Sequence, residues 1–462
     1  MKKNLRLVPY LFLLLWGAQA CGSATNAQRQ QEASDSVPAQ SPETTPLFVV
    51  TGYGRTVNNY PLDSLKADYC AGRVYVLEAA KPLADVFFGC ANAQTVPTLK
   101  AFAQLAKEAC LVTDLHHLVA QYKALAVDGV SFWEQADKYP LVYLDDERTP
   151  FDFQKHITKF MLTGVTAITR NTGFAADAHG TAFLTQNLLP YFKGAEWVHI
   201  SNEVSFAEGC YYKSYDPNYL FCTKKEHFQT LIDLGTNIVE LTGNHNLDYG
   251  KEPYRQTFEW YQAQKMQTFG GGLSPEQANT PLVVTLKDGK KLGFIGFNEK
   301  CPSGECADVQ MGANRYEREK ARQGIRKMRQ ELRVDYIIAT CQFGEVDSYQ
   351  PTPTQARISR DLIDFGADMV YGSQAHQPQE VEFYKGKPIF HGLGNFLFDQ
   401  VHRLGVRQAF FLQNYFYQGQ LIQAVPVFTF MAMNRQPTIA NAEEEAGIRK
   451  VIFTDKQLYK WE

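Results

Sequence analysis

Residues able to ligate a metal or move a proton gather at the ends of four apolar runs. Trp197–Ile200 leads into Ser201-Asn202-Glu203, and Ile238–Leu241 leads into Thr242-Gly243-Asn244-His245. Tyr336–Ala339 leads into Thr340-Cys341-Gln342, with Glu345 close behind, and Met369–Tyr371 leads into Gly372-Ser373-Gln374-Ala375-His376. These loops offer carboxylates (Glu203, Glu345), amides (Asn244, Gln342, Gln374) and imidazoles (His245, His376). Oxygen and nitrogen donors of this kind suit a hard or borderline divalent ion such as Mn, Fe or Zn. In Gly243-Asn244-His245 the glycine permits a tight backbone, the asparagine can ligate, and the histidine can protonate a leaving group. The plainer alternative is a hydrogen-bonded turn that only fixes the loop. The recurrence of His376 in an equivalent context favours the functional reading.

The elements that must position these residues follow from the same pattern. Each apolar run reads as a strand, and helices stand between several of them. Two of those helices, Glu226–Leu234 and Thr354–Phe365, run into Gly235 and Gly366, a common helix stop. Polar residues that repeatedly follow the carboxyl end of a strand mark the edge where open α/β sheets build their sites. Asp288-Gly289 lies between two strand-like runs and reads as a hairpin turn. Phe410–Met433 is aromatic and strand-like and is expected to return to the core. Gly270–Gly272 is not followed by Gly-Lys-Ser/Thr, so no nucleotide loop is supported. No GxSxG elbow appears, which disfavours a serine hydrolase.

The chain has 462 residues, a prior of about three structural units. Hydrophobic residues make up 45% and charged residues 21%, an ordinary globular balance. Lys and Arg number 46 against 49 Asp and Glu, so a strongly basic nucleic-acid binder is excluded and no nucleic-acid partner is expected. Aromatics reach 13%; a Phe-rich core explains them more simply than a polymer-stacking surface.

Residues 1–21 read as an export signal: Lys2, Lys3 and Arg6, then the apolar Leu7–Trp16, then small residues ending at Cys21. The apolar run is far short of the roughly 20 residues needed to span a bilayer. A cysteine after such a site resembles a bacterial lipobox, so Cys21 is expected to carry a lipid anchor that holds the protein in the cell envelope, outside the cytoplasm. Residues 22–46 are rich in Ser, Ala, Gln, Thr and Pro and read as a flexible tether. Residues 47–152 form a small α/β domain, with helices expected at Thr95–Ala109 and Leu118–Ala126 and a strand at Leu141–Leu144. Residues 153–435 form the larger domain, and 436–462 an extension.

Of nine cysteines, Cys210 with Cys222 and Cys301 with Cys306 bracket short loops and read as disulfides, permitted in an exported protein. Their spacings do not match paired zinc knuckles. Cys70, Cys90, Cys110 and Cys341 read as buried thiols.

Residues 158 to about 400 resemble bacterial capsule-synthesis proteins of the CapA, or poly-γ-glutamate biosynthesis, type. Leu241-Thr-Gly-Asn-His-Asn-Leu-Asp-Tyr-Gly250 is similar to the family's NNHxxDYG element, and Ile200–Glu203 to its NLE element. Asp364-Phe-Gly-Ala-Asp368, Lys385–Phe390 and Gly392-Leu-Gly-Asn-Phe396 match further motifs in order. The resemblance implies a four-layer α/β/β/α metallophosphatase-like sandwich, with the small α/β domain at its amino end. It implies a role in capsule, poly-γ-glutamate or related polymer synthesis, with an extracellular anionic polymer or its precursor as partner. By the same resemblance Glu203, Asn244 and His376 would hold metal, His245 would be catalytic, and Gln342, Glu345, Gln374 and Asn395 would line the substrate.

The departures matter as much. Val165 stands where the family's first aspartate belongs, Gln342 replaces the histidine of its HWG element, and Gly372–His376 keeps only the last histidine of GHHPH. Two ions carry a charge of +4 and need several anionic ligands, one of them bridging. With Glu203 the one certain carboxylate among the matched positions, a dinuclear centre is not expected. A single divalent ion, or a metal-free polar pocket, fits better. An active single-metal phosphoesterase or amide hydrolase remains the alternative.

Overall fold

The computed structural model describes residues 43–105, 108–142, 148–301 and 304–454. The export signal, Cys21 and most of the tether lie outside the described residues, as does the tail from 455 onwards. Among the described residues no helix is long and apolar enough to cross a membrane.

The amino-terminal module holds one five-stranded sheet. Its strands are β1 (Leu47–Gly52), β2 (Tyr75–Leu77), β3 (Gln94–Val96), β4 (Leu111–Asp114) and β5 (Tyr122–Ala124), in the order β3-β2-β4-β1-β5. The helices α1 (Leu62–Cys70) and α2 (Lys81–Phe88) pack on it and are joined by a Cys70–Cys90 disulfide. That bridge corrects the reading of these two cysteines as buried thiols; Cys110 and Cys341 are free. The helices expected at Thr95–Ala109 and Leu118–Ala126 shrink to one turn, Leu99–Phe102, and to the edge strand β5. Lys123 and its neighbours are good helix formers, but pairing of Tyr122–Ala124 with β1 wins. No strand forms at Leu141 and Val142, and the rest of that expected strand is not described.

The larger body begins with β6 (Thr158–Leu162), β7 (Val165–Thr166), α3 (Arg170–His179) and β8 (Trp197–Asn202). It continues through α4 (Gln229–Asp233), β9 (Ile238–Glu240), α5 (Lys251–Ala263) and β10 (Gln267–Phe269). The second half runs β11 (Leu282–Thr285), β12 (Lys291–Asn298), α6 (Arg318–Gln330), β13 (Tyr336–Gln342), α7 (Pro353–Phe365) and β14 (Met369–Ser373). Then follow β15 (Val381–Tyr384), β16 (Lys387–Phe390), β17 (Asn395–Leu397), β18 (Gln408–Tyr417), β19 (Gln420–Met431), β20 (Pro437–Ile439) and α8 (Ala442–Ile452).

Two sheets result. One has the order β10-β9-β8-β6-β18-β19-β20, with β7 and β17 paired beside β8; the other has the order β11-β12-β13-β14-β16-β15. Phe160, Leu162, Phe294, Ile338 and Phe410 fill the space between them. Helices α3, α4 and α5 cover the outer face of the first sheet through Ala176, Leu231 and Phe258. Helices α6 and α7 cover the second through Ile325, Met328, Ile358 and Leu362. This is the four-layer α/β/β/α sandwich that the family resemblance implies. A sheet buried on both faces needs apolar strands throughout, which is why β12, β13 and β14 are buried along almost their whole length.

Local chemistry sets the ends of these elements. Helix α7 starts at Thr352, whose side chain and that of Gln355 form a reciprocal capping box, and stops at Gly366, where φ is +119°. The Asp288-Gly289 turn joins β11 to β12 as an antiparallel hairpin. The segment after residue 435 adds β20 to the sheet edge and α8 to the core, so residues 437–452 belong to the body. The small module docks on β18 and β19: Trp133 stacks on Tyr415 at 4.6 Å, and Tyr53 Oη donates to the Ala424 carbonyl at 2.8 Å.

Candidate functional site

Strands β8, β9, β12, β13 and β14 all end at one edge of the sandwich. Parallel pairing sets Ser201 beside Glu240 in one sheet, and Asn298, Gln342 and Ser373 side by side in the other. The loops that follow therefore meet. Gly243 is required there, since a Cβ would lie 2.6 Å from the Cα of Glu203.

Gln342 is the hub. Its Nε2 donates to Glu203 Oε1 at 3.0 Å and to Asn244 Oδ1 at 2.9 Å, and also contacts Gln374 Oε1. An amide NH2 has two hydrogens, so three acceptors are one too many. Glu203 Oε2 is buried, with no hydrogen-bond partner among the described residues. The pocket thus holds more acceptors than donors, all of them on side chains under 7% exposed.

The network continues outward. Gln374 Nε2 faces Glu345 Oε1 at 3.5 Å, Glu345 Oε1 faces His376 Nε2 at 3.2 Å, and His376 Nδ1 faces Asn395 Oδ1 at 2.8 Å. Gln374 and His376 both have φ in the left-handed region, +85° and +55°, a strain of about 1–3 kcal/mol each that clusters at working sites. The His376 hydrogen bond holds the Glu345 carboxyl down to about 2.

His245 sits on the other side. Its Nδ1 is 2.8 Å from Asp248 Oδ2, and its ring lies 4.5 Å from that of Phe221. Burial pulls its basicity down, but the Asp248 hydrogen bond and the charges of Glu203 and Asp248 outweigh that and raise it above the ordinary imidazole value.

The residues expected from sequence thus share one network. Glu203, Asn244, Gln342, Gln374, Glu345, His376 and Asn395 form a continuous chain, and His245 adjoins it through Asn244. The two ring nitrogens of His376 face Asn395 and Glu345. Among the described residues no group of three or more His, Cys, Asp or Glu is placed to hold a metal ion. Three side-chain oxygens, from Glu203, Asn244 and Gln374, surround the Gln342 amide, a donor set of the kind that a single cation could take.

Four neighbours were not foreseen. Asn298 ends β12, and its side chain donates to the Thr242 carbonyl and to Gln342 Oε1, each at 2.7 Å, so it orients the hub. Its signal was its place at a strand's carboxyl end. Glu305, in the loop closed by the Cys301–Cys306 disulfide, faces His245 and Asp248; burial and the Asp248 charge raise its carboxyl to about 7. Arg170, at the first turn of α3 with φ +50°, lies over the rings of Phe221 and Phe398. Its Nε is 3.1 Å from Asp399, itself 2% exposed. Nothing in the local sequence marked that pair. The Cys210–Cys222 disulfide closes the loop leading to Phe221.

Comparison with known proteins follows the same outline. The chain is 24% identical over 229 residues to the capsule biosynthesis protein CapA of Bacillus anthracis, covering 48% of this chain and 56% of that one. It is 25% identical over 236 residues to the PGA biosynthesis protein CapA of Bacillus subtilis, covering 48% and 59%. The chain thus spans little more than half the length of these relatives. Among solved structures, the NAD nucleotidase of Haemophilus influenzae overlaps 64% of this chain and 55% of its own, at 13% identity and a TM-score of 0.36. The model of the bacterial capsule synthesis protein family, PGA_cap, matches residues 159–400, more than half of the chain and all of the strand-end site. The chain belongs to the bacterial capsule synthesis protein family.

Proposed function

We propose that this is an exported, lipid-anchored protein that binds an extracellular anionic polymer, such as capsule or poly-γ-glutamate, or its precursor. In this reading the strand-end pocket binds without dinuclear metal chemistry. The observation that carries the reading is the acceptor surplus around Gln342. Glu203, Asn244 and Gln374 aim three oxygens at one amide, and among the described residues Glu203 Oε2 has no hydrogen-bond partner. Such a pocket accepts a hydroxyl or amine terminus of a polymer, or one divalent ion, and Arg170 beside it offers a cation to a negative group. The bridges Cys70–Cys90, Cys210–Cys222 and Cys301–Cys306 support passage through an oxidising compartment. Anchoring rests on the lipobox-like Cys21.

A hydrolase reading keeps one favourable observation. Asp248 holds His245 Nδ1, which leaves the opposite ring nitrogen for transfer of a proton to a leaving group.

Metal analysis tests the reading without a dinuclear centre. The full chain, purified in detergent, is exposed to Mn, Fe and Zn and desalted. At most one equivalent of metal is expected to remain. Two retained equivalents, lost on Glu203→Ala, would overturn the proposal. Cys21→Ser is expected to release the protein from membranes, and unchanged retention refutes the anchor.

A further inference from the structure

Most cations around the strand-end site already face a carboxylate. Lys213, Lys224, Arg170 and Arg403 face Asp216, Asp177, Asp399 and Asp347. Lys300 does not follow them. It is exposed, and among the described residues it has no ion pair or hydrogen bond.

Its neighbours in the chain fix its place. The Asn298 side chain donates to Gln342 Oε1, and the Glu299 amide donates to the Gln342 carbonyl at 2.8 Å. The Cys301 amide donates to Asn298 Oδ1 at 2.6 Å, and Cys301 is bridged to Cys306. The backbone that carries Lys300 is thus pinned beside the hub of the pocket. From there its charge acts on both rims. His245 is set first by burial, the Asp248 hydrogen bond and the nearby carboxylate charges, and Lys300 opposes a proton there. Glu345 is held down first by the His376 hydrogen bond, against its burial, and Lys300 adds to that hold.

Floor and rim ask for different groups. The surplus oxygens sit on Glu203, Asn244 and Gln374, which are 3%, 6% and 0% exposed. The side chains of His245 and Glu345 on the rim are 17% and 57% exposed. Oxygens so buried are reached by the end of a chain and not by its body. The floor is rich in acceptors and includes the Glu203 carboxylate, with Oε2 lacking a hydrogen-bond partner among the described residues. It therefore favours a cation with several donors and repels a further carboxylate. An ammonium brings three donors and a charge, where a sugar hydroxyl brings one donor and none. A γ-linked glutamate chain has two unlike ends. One carries an ammonium and an α-carboxylate on the same carbon; the other carries two carboxylates. The first end matches an acceptor floor with an unpaired lysine at its edge, and the second sets two anions against Glu203.

We propose that the pocket receives the amino end of a γ-linked glutamate chain, with Lys300 holding the α-carboxylate of the first residue while the ammonium turns to the oxygens of Glu203 and Asn244. This rests on the reading of the pocket as a polymer site, and adds which end enters and which residue selects it.

The test uses the full chain in detergent and calorimetric titration at low salt. The probes are γ-linked tetraglutamate, the same peptide N-acetylated, the same peptide with the α-carboxylate of its first residue amidated, and poly-γ-glutamate at equal chain concentration. Tetraglutamate is expected to bind, and acetylation to weaken it by about tenfold or more. Lys300→Ala is expected to weaken it by about two- to fivefold, the range of an exposed ion pair, with an unchanged melting temperature. Amidation is expected to cost the parent a similar factor and the Lys300→Ala variant nothing further, since both changes remove one contact. Lys300→Arg is expected to keep most of the affinity. The proposal is overturned if the acetylated peptide binds as tightly as the free one, if Lys300→Ala binds as the parent does, or if amidation and Lys300→Ala add. If poly-γ-glutamate binds through any of these outcomes, the polymer reading stands and end capture falls. If tetraglutamate binds through Lys300 and poly-γ-glutamate does not bind, the polymer reading falls and the site for a glutamate end stands. If neither binds, both fall.

Discussion

Two polar clusters lie a few residues apart along the same strands, and they are built on opposite plans. Between the sheets, His199, Glu240 and Tyr371 are fully buried. Glu240 Oε1 accepts from Thr242 at 2.5 Å and Thr340 at 2.7 Å, while Oε2 takes the Tyr371 hydroxyl and faces His199 at 3.3 Å. Both oxygens are served twice. At the strand ends, Glu203 has one oxygen served and one orphaned, and the Gln342 amide is claimed by three acceptors. The interior cluster serves both carboxylate oxygens and leaves a single buried nitrogen, His199 Nδ1, without a hydrogen-bond partner among the described residues; every unmatched buried group costs about 1–3 kcal/mol. The strand-end pocket carries that cost, and a missing donor or cation would relieve it.

The comparison predicts its own largest effect in the interior. Glu240→Leu strands the hydroxyls of Thr242, Thr340 and Tyr371 and leaves His199 without its carboxylate. A loss of about 3–5 kcal/mol in unfolding free energy is expected by urea titration. The pH dependence has a definite sign. Burial raises the Glu240 carboxyl, but the hydrogen bond and charge of His199, with Thr242 and Tyr371, outweigh burial and hold it below its usual value. A depressed carboxyl contributes stability that is complete above its unfolded value of about 4.3 and is lost as pH falls through the folded one. The parent is therefore expected to lose stability below about pH 4.3 more steeply than the Leu variant. Parallel acid curves would show that Glu240 is not what fastens the layers.

At the pocket the same kind of surgery is expected to cost less and to reveal more. Gln342→Ala removes an over-claimed donor and opens space among three oxygens. A loss of about 1–3 kcal/mol is expected, below that of Glu240→Leu. Added Mn should then raise the melting temperature of the variant more than that of the parent, because a cation restores what the amide supplied. If Gln342→Ala costs as much as Glu240→Leu and Mn does nothing, the pocket is one more structural cluster and the contrast collapses.

How far sequence reached follows the same divide. The strands ending in Glu203, His245, Gln342 and His376 were legible because an apolar run followed by polar residues is a local pattern, and Gly243 was legible because only a close approach asks for glycine there. What escaped was decided by pairing across distance. Tyr122–Ala124 reads as helix until β1 claims it, and Cys70 has no visible partner until α1 and α2 lie together. Arg170 meets Asp399 across 229 positions, and Asn298 reaches Thr242 from the other sheet; no spacing announces either.

The smallest effect sharpens the boundary between the pocket and solvent. Glu345 is tied to His376, yet 57% of its side chain is exposed. Its carboxyl is held down to about 2 by that hydrogen bond, so its contribution is complete above the unfolded value near 4.3 and fades as pH falls through about 2. Water screens a pair so exposed, and Glu345→Gln is expected to cost less than about 1 kcal/mol at neutral pH. The informative readout is therefore the ring of His376, not the melting temperature. In the parent its two nitrogens are held between Glu345 and Asn395, and the Gln variant replaces a charged acceptor with a neutral one. The His376 ring resonances should move in the nuclear magnetic resonance spectrum while the fold stays put, and glutamyl-peptide or metal binding should change only where the ligand reaches that rim. A loss of stability as large as that of Gln342→Ala would mean that Glu345 belongs to the buried network and not to its edge.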